Sequence, residues 1–310
     1  MIHRIAVLMS TYNGEKYIKC QIDSILNQDL DNNLKLIIRD DGSSDGTVDI
    51  IKAYQDERIE LHCGKNIGIN RSFFELIQLA NHQTEEYSFF SFSDQDDQWD
   101  SDKLRIAINC ISAEKENSKP LLYCSASLHV DENLNPTEPK NKRIIKPLLL
   151  YNTIIQTVVP GHTYVFNRNL LNILSASYDI DRVNLYDSFI LNIANICGKV
   201  IYDPNRHTNY RQHSGNACGF TENFLKWGYQ RLRRHFNGET KRYARQIEYI
   251  YELFHDSIPA EEKCEIQSFL ASRNTFISRA RYIIKSKFYR QKEWQTYLFR
   301  IIYLLGGYNT

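Results

Sequence analysis

Apolar and polar positions follow two rhythms along the N-terminal third of the chain. Short apolar runs at 3–9, 34–39, 58–62 and 87–93 read as strands. Between and after them, apolar residues return at helical spacing, as with Ile18, Ile22, Ile25 and Leu26 within 15–28, and again over 45–54, 70–80 and 102–114. Strand and helix thus alternate four times at βαβ spacing, which predicts a mostly parallel α/β sheet flanked by helices. The polar stretch 132–147 holds three prolines and predicts a loop. A strand at 162–167, a helix over 186–197 and short strands at 199–203 and 206–211 are expected next. From 221 onward the pattern is helical and rich in Lys, Arg, Tyr and Phe. A domain boundary is therefore placed near 220, with an α/β domain at 1–220 and a helical extension at 221–310.

Composition adds limits. With 310 residues, 42 % apolar and 24 % charged, the chain can bury a sizeable core and is not disordered as a whole. A net charge of +1 gives no general case for nucleic-acid binding. That balance hides an asymmetry: residues 221–310 carry +7 and the rest −6. A basic segment joined to an acidic body suggests work beside an anionic surface. Seven scattered cysteines without a CxxC fit a reducing cytosol better than a disulfide framework or structural zinc. Neither a signal peptide nor an apolar run long enough to cross a bilayer is evident, so a cytoplasmic location is expected.

Three polar clusters follow predicted strands: Ser10-Thr11-Tyr12-Asn13, Asp40-Asp41-Gly42-Ser43 and Asp94-Gln95-Asp96-Asp97. If those strands are parallel, all three lie at one edge of the sheet, where open α/β sheets bind ligands. Carboxylates two apart on a turn can share a hard divalent cation such as Mg²⁺ or Mn²⁺; an acidic loop that merely caps the next helix is the plainer alternative. Residues 40–47 also read as turn and N-cap chemistry. Within them Gly42-Ser43-Ser44-Asp45-Gly46 matches G-x-S-x-G, with Asp187 and His213 following in Ser…Asp…His order. No Gly-rich oxyanion segment accompanies it, and a hydrolase would leave the other two clusters without a role.

Taken together with Asn66-Ile67-Gly68 and Gln98-Trp99, these clusters resemble, in order and spacing, the family 2 glycosyltransferases of GT-A fold. The resemblance extends through Gly161-His162, Tyr186-Asp187 and Tyr210-Arg211-Gln212-His213-Ser214-Gly215-Asn216, and covers about residues 1–220. The last string is similar to bacterial rhamnosyltransferase-like members that build capsule, O-antigen and cell-wall polysaccharides. The resemblance implies that Thr11, Tyr12 and Asn13 line the nucleotide. It implies that Asp41 accepts the base N3–H, which favours uracil or thymine, and that Asn66, Gly68 and Arg71 border base and ribose. Asp94 would contact ribose or sugar, while Asp96 and His213 would hold Mn²⁺ or Mg²⁺ at the diphosphate. Asp187 would be the base of an inverting reaction, although it could equally N-cap its helix, and Tyr186 stands where relatives often have His or Glu. His162, Trp99 and Arg211 are further candidates for substrate contacts, with packing beneath the metal loop as the other reading of Trp99.

The implied donor is dTDP-rhamnose, with UDP-glucose or UDP-galactose as the alternative, and the acceptor a glycan, in many relatives linked to polyprenyl diphosphate. A sugar nucleotidyltransferase would need a Gly-rich basic loop that Ser10-Thr11-Tyr12-Asn13-Gly14 does not supply. A non-catalytic scaffold would have little use for Asp41, Asp94, Asp96 and Asp187. In the extension, Leu225, Trp227, Tyr229, Leu232 and Phe236 interleave with Lys226, Arg231, Arg233 and Arg234, and basic and aromatic residues alternate again over 276–305. Such helices suit an anionic membrane surface at the inner leaflet; packing on the catalytic domain or pairing into a homodimer would use the same residues.

Overall fold

Fourteen residues of β1 and β2 set the frame. In the computed structural model, which describes residues 4–30, 33–83, 87–116, 118–137, 144–213 and 238–309, β1 (Ile5–Thr11) lies parallel to β2 (Leu34–Asp40) with Thr11 opposite Asp40. β2 pairs in parallel with β3 (Ile59–Cys63), and β1 on its other side with β4 (Phe89–Ser93). The chain therefore leaves β1 in one direction for β2 and β3, then crosses to the opposite side for β4. Such a reversal of strand order opens a crevice at the carboxyl ends of β1 and β4.

The sheet continues as β3-β2-β1-β4-β7-β6-β8-β5. β6 (Leu121–Val130) and β8 (Lys199–Arg211) are parallel, whereas β7 (Val165–Asn167) runs antiparallel to β4 and β6. The two-residue β5 (Gln98–Trp99) pairs antiparallel with β8. Strands 199–203 and 206–211 are thus one strand, with register shifts against β6. The mostly parallel sheet matches the expectation. The long β6 was not anticipated, because only its first half is a clean apolar run.

Ile5, Val7 and Met9 alternate with Ala6 and Leu8, and all five are fully buried. The first three join Leu36 and Ile38 in a core with α1 (Ile18–Leu26) and α4 (Lys103–Ser112). Across the sheet, Phe90 and Phe92 meet Phe166, and Phe92 meets Phe73 of α3 (Ile69–Gln83). Burial on both faces explains why these strands read as continuous apolar runs. A nine-residue helix such as α1 is marginal alone. Burying Ile18, Ile22 and Ile25 completely contributes about 1.5–3 kcal/mol each and fixes it against the sheet.

Gly198 precedes β8, and a Cβ there would lie 1.9 Å from the Pro120 carbonyl oxygen, which accepts the Lys199 N–H. Gly198→Ala is expected to push the two strand starts apart and lower the unfolding free energy by about 1–3 kcal/mol in chemical denaturation. Wild-type stability in that variant would mean that the β6–β8 junction yields.

The chain divides into two compact units. The first, Met1–Arg143, Val159–Tyr178 and Gly198–Ala217, contains the sheet, α1 to α4 with α2 (Thr47–Lys52), and α6 (Arg168–Leu174). The second is helical: α5 (Leu150–Thr153), α7 (Tyr186–Cys197), α8 (Glu239–Phe254), α9 (Ala260–Ala271), α10 (Phe276–Lys285) and α11 (Glu293–Leu304). This division differs from one cut near 220. Segments 144–158 and 179–197 belong with the later helices because polar side chains tie them there. Gln246 accepts the Asn184 N–H, Thr157 bonds Tyr243, and Gln291 donates to Asn152. Phe269 forms an aromatic core with Tyr282, Phe288, Tyr303 and Tyr308. Much of the aromatic excess at this end is therefore core. The basic–aromatic segment at 225–236 lies outside the described residues, as do Ser214, Gly215 and Asn216. Among the described residues, no helix is long and apolar enough to cross a membrane.

Candidate active site

Because β1, β2 and β4 are parallel, the three polar clusters meet at one edge of the sheet, as their spacing predicts. Gln95 joins two of them. Its Oε1 accepts the Thr11 hydroxyl at 2.6 Å and the Tyr12 N–H at 2.8 Å, and its Nε2 donates to the Tyr12 carbonyl at 3.1 Å. A Cβ on Gly14 would fall 2.3 Å from the same Oε1, so any side chain there would displace the Gln95 amide from these bonds. Thr11 is buried while the Tyr12 ring stays half exposed, at 47 %. Asn13 takes a left-handed φ of 47°, a conformation Asn tolerates, and its Oδ1 accepts the Ser44 N–H at 2.8 Å.

The second cluster divides its labour. Asp40 accepts the Gly42 and Ser43 N–H groups, and Asp45 the Thr47 N–H and hydroxyl, which is the turn chemistry expected there. Asp41 looks elsewhere: its Oδ1 accepts Arg39 at 2.6 Å and the Ile67 N–H at 2.8 Å, and its Oδ2 the Gly68 N–H at 2.9 Å. Gly68 has φ 85°, which L side chains rarely adopt. A carboxylate has about four acceptor positions, so Asp41 keeps one for a further donor. Asn66 is exposed beside this loop, and Arg71 is exposed on the first turn of α3. Ser44 Oγ contacts Asn13, and His213 pairs with Asp96, so the Gly42–Gly46 match to a nucleophile elbow is turn chemistry.

Arg39 was not singled out from sequence. Its side chain is 5 % exposed and also donates to Glu75, Ser72 and the Lys65 carbonyl. Arg39→Met would leave the Asp41 carboxylate buried without its cation. We expect a loss of about 3 kcal/mol in denaturant unfolding, and strong non-additivity with Asp41→Asn. Additive losses would mean that the two side chains act separately.

The third cluster is the most charged. Asp96 Oδ2 lies 2.7 Å from His213 Nε2, and both side chains are 15 % exposed. Burial, then the Asp94 charge, pushes the Asp96 carboxyl up, and His213 opposes this. His162, expected as a substrate contact, is fully buried instead. Its Nδ1 stands 3.2 Å from Asp94 Oδ2 and 3.5 Å from Asp97 Oδ2, and its ring packs on Tyr210 at 4.6 Å. Burial raises Asp97 to about 7, with Asp96 and Asp94 adding to the rise. Burial alone would lower His162, but Asp97 and Asp94 outweigh it and the imidazole is raised.

Arg211, expected as a substrate contact, clamps the loop backbone. Its N–H donates to Asp97 Oδ1, its Nε to the Asp96 carbonyl and its Nη1 to the Glu132 carbonyl, while the guanidinium covers Tyr17 at 4.7 Å. Trp99 is 4 % exposed and belongs to the core. Lys103 Nζ lies 3.4 Å from its ring centroid and donates to the His162 carbonyl, so the indole is packed beneath the loop. Burial holds the Lys103 ammonium well below its usual value. Nothing in the sequence marked Lys103, which looks like a surface lysine opening a helix. Asp97 stood inside the quoted cluster without a role.

Asp94, Asp97 and His162 each offer a ligand atom within 4.8 Å of the others, a group able to hold a metal ion. Among the described residues, the buried Asp97 Oδ2 and His162 Nε2 have no hydrogen-bond partner. Clustered carboxylates fit a hard divalent cation. A histidine ligand must be neutral, yet the two aspartates favour protonated His162. Asp94 and Asp96 keep exposed side-chain surface, 30 % and 15 %, whereas Asp97 is fully buried, so the first two are the carboxylates best placed to meet a cation from solvent. Asp187 belongs to the second unit. It lies in the first turn of α7, and its Oδ1 accepts the Ser188 N–H at 2.6 Å.

The family model for glycosyl transferase family 2 matches residues 6–162. A dTDP-rhamnosyl transferase, RfbG of Shigella flexneri, is 30 % identical over 243 residues, covering 72 % of this chain and 78 % of that protein. The UDP-Glc:alpha-D-GlcNAc-diphosphoundecaprenol beta-1,3-glucosyltransferase WfgD of Escherichia coli is 26 % identical, covering 54 % of this chain and 62 % of its own length. Among solved structures, S. aureus TarS 1–349 in complex with UDP superposes with a TM-score of 0.58 at 17 % identity, covering 99 % of this chain and 81 % of that one. That last likeness bears on the fold, which is of the GT-A kind; the first two observations bear on descent. With its motif-bearing loops gathered at one sheet edge, the chain belongs to glycosyl transferase family 2 and is a glycosyltransferase.

Proposed function

We propose that the protein is an inverting, divalent-metal-dependent glycosyltransferase that moves L-rhamnose from dTDP-rhamnose to a glycan acceptor in bacterial surface polysaccharide synthesis. The carrying observation is the Asp94–Asp97 loop, held by Gln95 against the β1 loop and set at the carboxyl end of β4. Thr11, Tyr12 and Asn13 line the nucleotide, and Asn66, Gly68 and Arg71 border base and ribose. Asp41 accepts the base N3–H on its remaining acceptor position, which selects uracil or thymine over cytosine. Asp94 and Asp96 hold Mn²⁺ or Mg²⁺, with His213 beside Asp96. When bound, the cation neutralises the charge that develops on the departing diphosphate. Asp97 and His162 form a buried pair behind these ligands, and Arg211 fixes the loop backbone. Asp187 takes the proton from the acceptor hydroxyl as that oxygen attacks the anomeric carbon.

The similarity to RfbG supports the rhamnose donor. The similarity to WfgD supports a lipid diphosphate-linked acceptor, and equally a UDP-glucose donor as the second reading. An acceptor of that kind is met at the inner face of the cell membrane.

Thermal unfolding with UDP, dTDP, GDP or CDP, each with Mn²⁺, Mg²⁺ or chelator, tests the nucleotide site without an acceptor. A nucleotide at 100 times its Kd adds roughly 2.7 kcal/mol of stability. We expect metal-dependent stabilisation by dTDP or UDP and little by CDP. Equal stabilisation by CDP would remove Asp41 from base reading, and no stabilisation by any nucleotide would contradict the proposal.

A further inference from the structure

Six of the eleven large apolar side chains that stand exposed among the described residues fall within 276–305. On α10 these are Phe276, Ile277 and Ile284, at 59 %, 63 % and 80 % exposure. On α11 they are Tyr297, Ile301 and Leu305, the last just past its end, at 60 %, 52 % and 67 %. The spacing is helical: Ile277 and Ile284 are seven apart, and Tyr297, Ile301 and Leu305 follow every fourth residue. Each stripe lies away from the side its helix buries. Tyr282 of α10 and Tyr303 of α11 both pack on Phe269, their rings 5.0 Å apart. The stripes are therefore what remains outside after the helices have filled their core. Single exposed apolar residues are ordinary, but a run of them on consecutive helices marks an interaction surface.

Charge selects the partner. Residues 276–305 carry seven Lys and Arg against one acidic residue, Glu293. Several of these cations are engaged: Lys287 pairs with Glu261, Arg279 donates to the Leu304 carbonyl, and Arg290 is buried. Arg281, Lys285 and Lys292 are exposed, the first two on α10 beside Ile277 and Ile284, and α10 has no acidic residue. In a symmetric dimer built on this face the same patch would meet itself, setting cations against cations. An anionic bilayer accepts both features at once, the apolar side chains at the acyl boundary and the cations at the headgroups.

We propose that the exposed faces of α10 and α11 form a docking surface for an anionic phospholipid bilayer. This extends the proposed function by assigning membrane contact to particular helices, and it is testable without that function. The test is co-sedimentation of the full-length protein with phosphatidylglycerol-containing vesicles and with pure phosphatidylcholine vesicles, no nucleotide or acceptor being present. Wild type is expected to bind the anionic vesicles about tenfold or more tightly than the neutral ones. Ile277→Glu/Ile284→Glu and, separately, Arg281→Glu/Lys285→Glu are each expected to weaken anionic binding about tenfold or more, with circular-dichroism melts close to wild type. The charge-reversal pair keeps the test intact if the apolar pair misfolds. Equal vesicle binding by wild type and the folded variants would overturn the proposal. So would absence of vesicle binding, or a solution dimer that Ile277→Glu/Ile284→Glu converts to monomer. Vesicle binding by a protein that turns over no sugar nucleotide would sink the transferase reading alone.

Discussion

Asp96→Asn is expected to lower sugar-nucleotide turnover by about a thousandfold, equivalent to about 4 kcal/mol of transition-state stabilisation, and to abolish metal-dependent nucleotide binding. The reasoning is electrostatic. Asp94 and Asp96 are the carboxylates of the loop left with accessible surface, and the amide keeps the shape of Asp96 while removing its charge. Asp97→Asn is the control. Asp97 is fully buried, and the amide keeps its shape and the oxygen that accepts the Arg211 N–H. Its turnover is expected to stay within about tenfold of wild type. Comparing the two variants in nucleoside diphosphate release checks the assignment. A larger loss in Asp97→Asn than in Asp96→Asn would move the metal to the Asp94, Asp97 and His162 group.

The second large effect concerns the acceptor. Asp187→Asn is expected to reduce transfer by about 10²–10⁴-fold, the range for loss of a positioned general base, while leaving nucleotide affinity unchanged. The amide can still accept the Ser188 N–H, so α7 should keep its first turn and the protein its melting temperature. That separates the two roles a carboxylate has at this position. A cap alone predicts unchanged turnover in Asp187→Asn, and normal transfer by that variant would take Asp187 out of the chemistry.

Features set by local rules were legible in the sequence. β1, β2 and β4 are apolar runs closed by turn residues, and α7 begins and ends where its pattern does, at 186 and 197. Once those strands are taken as parallel, the convergence of Thr11, Asp41 and Asp94 follows from topology alone. What escaped depends on tertiary burial. Lys103 and Arg211 look like surface cations in sequence, yet both are buried, one over Trp99 and the other clipping the Asp96–Asp97 backbone. β5 is two residues long and exists only because β8 passes beside it. Tyr282 and Ile284 are equally apolar to a reader of the sequence, but one fills the core and the other is 80 % exposed. The single boundary near 220 failed to capture the compact units for the same reason: the ties from Thr157 and Asn184 to α8 join residues far apart in the chain.

The most direct measurement is release of nucleoside diphosphate from dTDP-rhamnose, UDP-glucose, GDP-mannose and a CDP-linked sugar by purified protein, before and after chelation and with Mn²⁺ restored. Turnover of the thymidine or uridine donor that vanishes with chelator and returns with Mn²⁺ is the predicted result. Turnover indifferent to chelator, or best with the cytidine or guanosine donor, would contradict the metal and base assignments on which the proposed function rests.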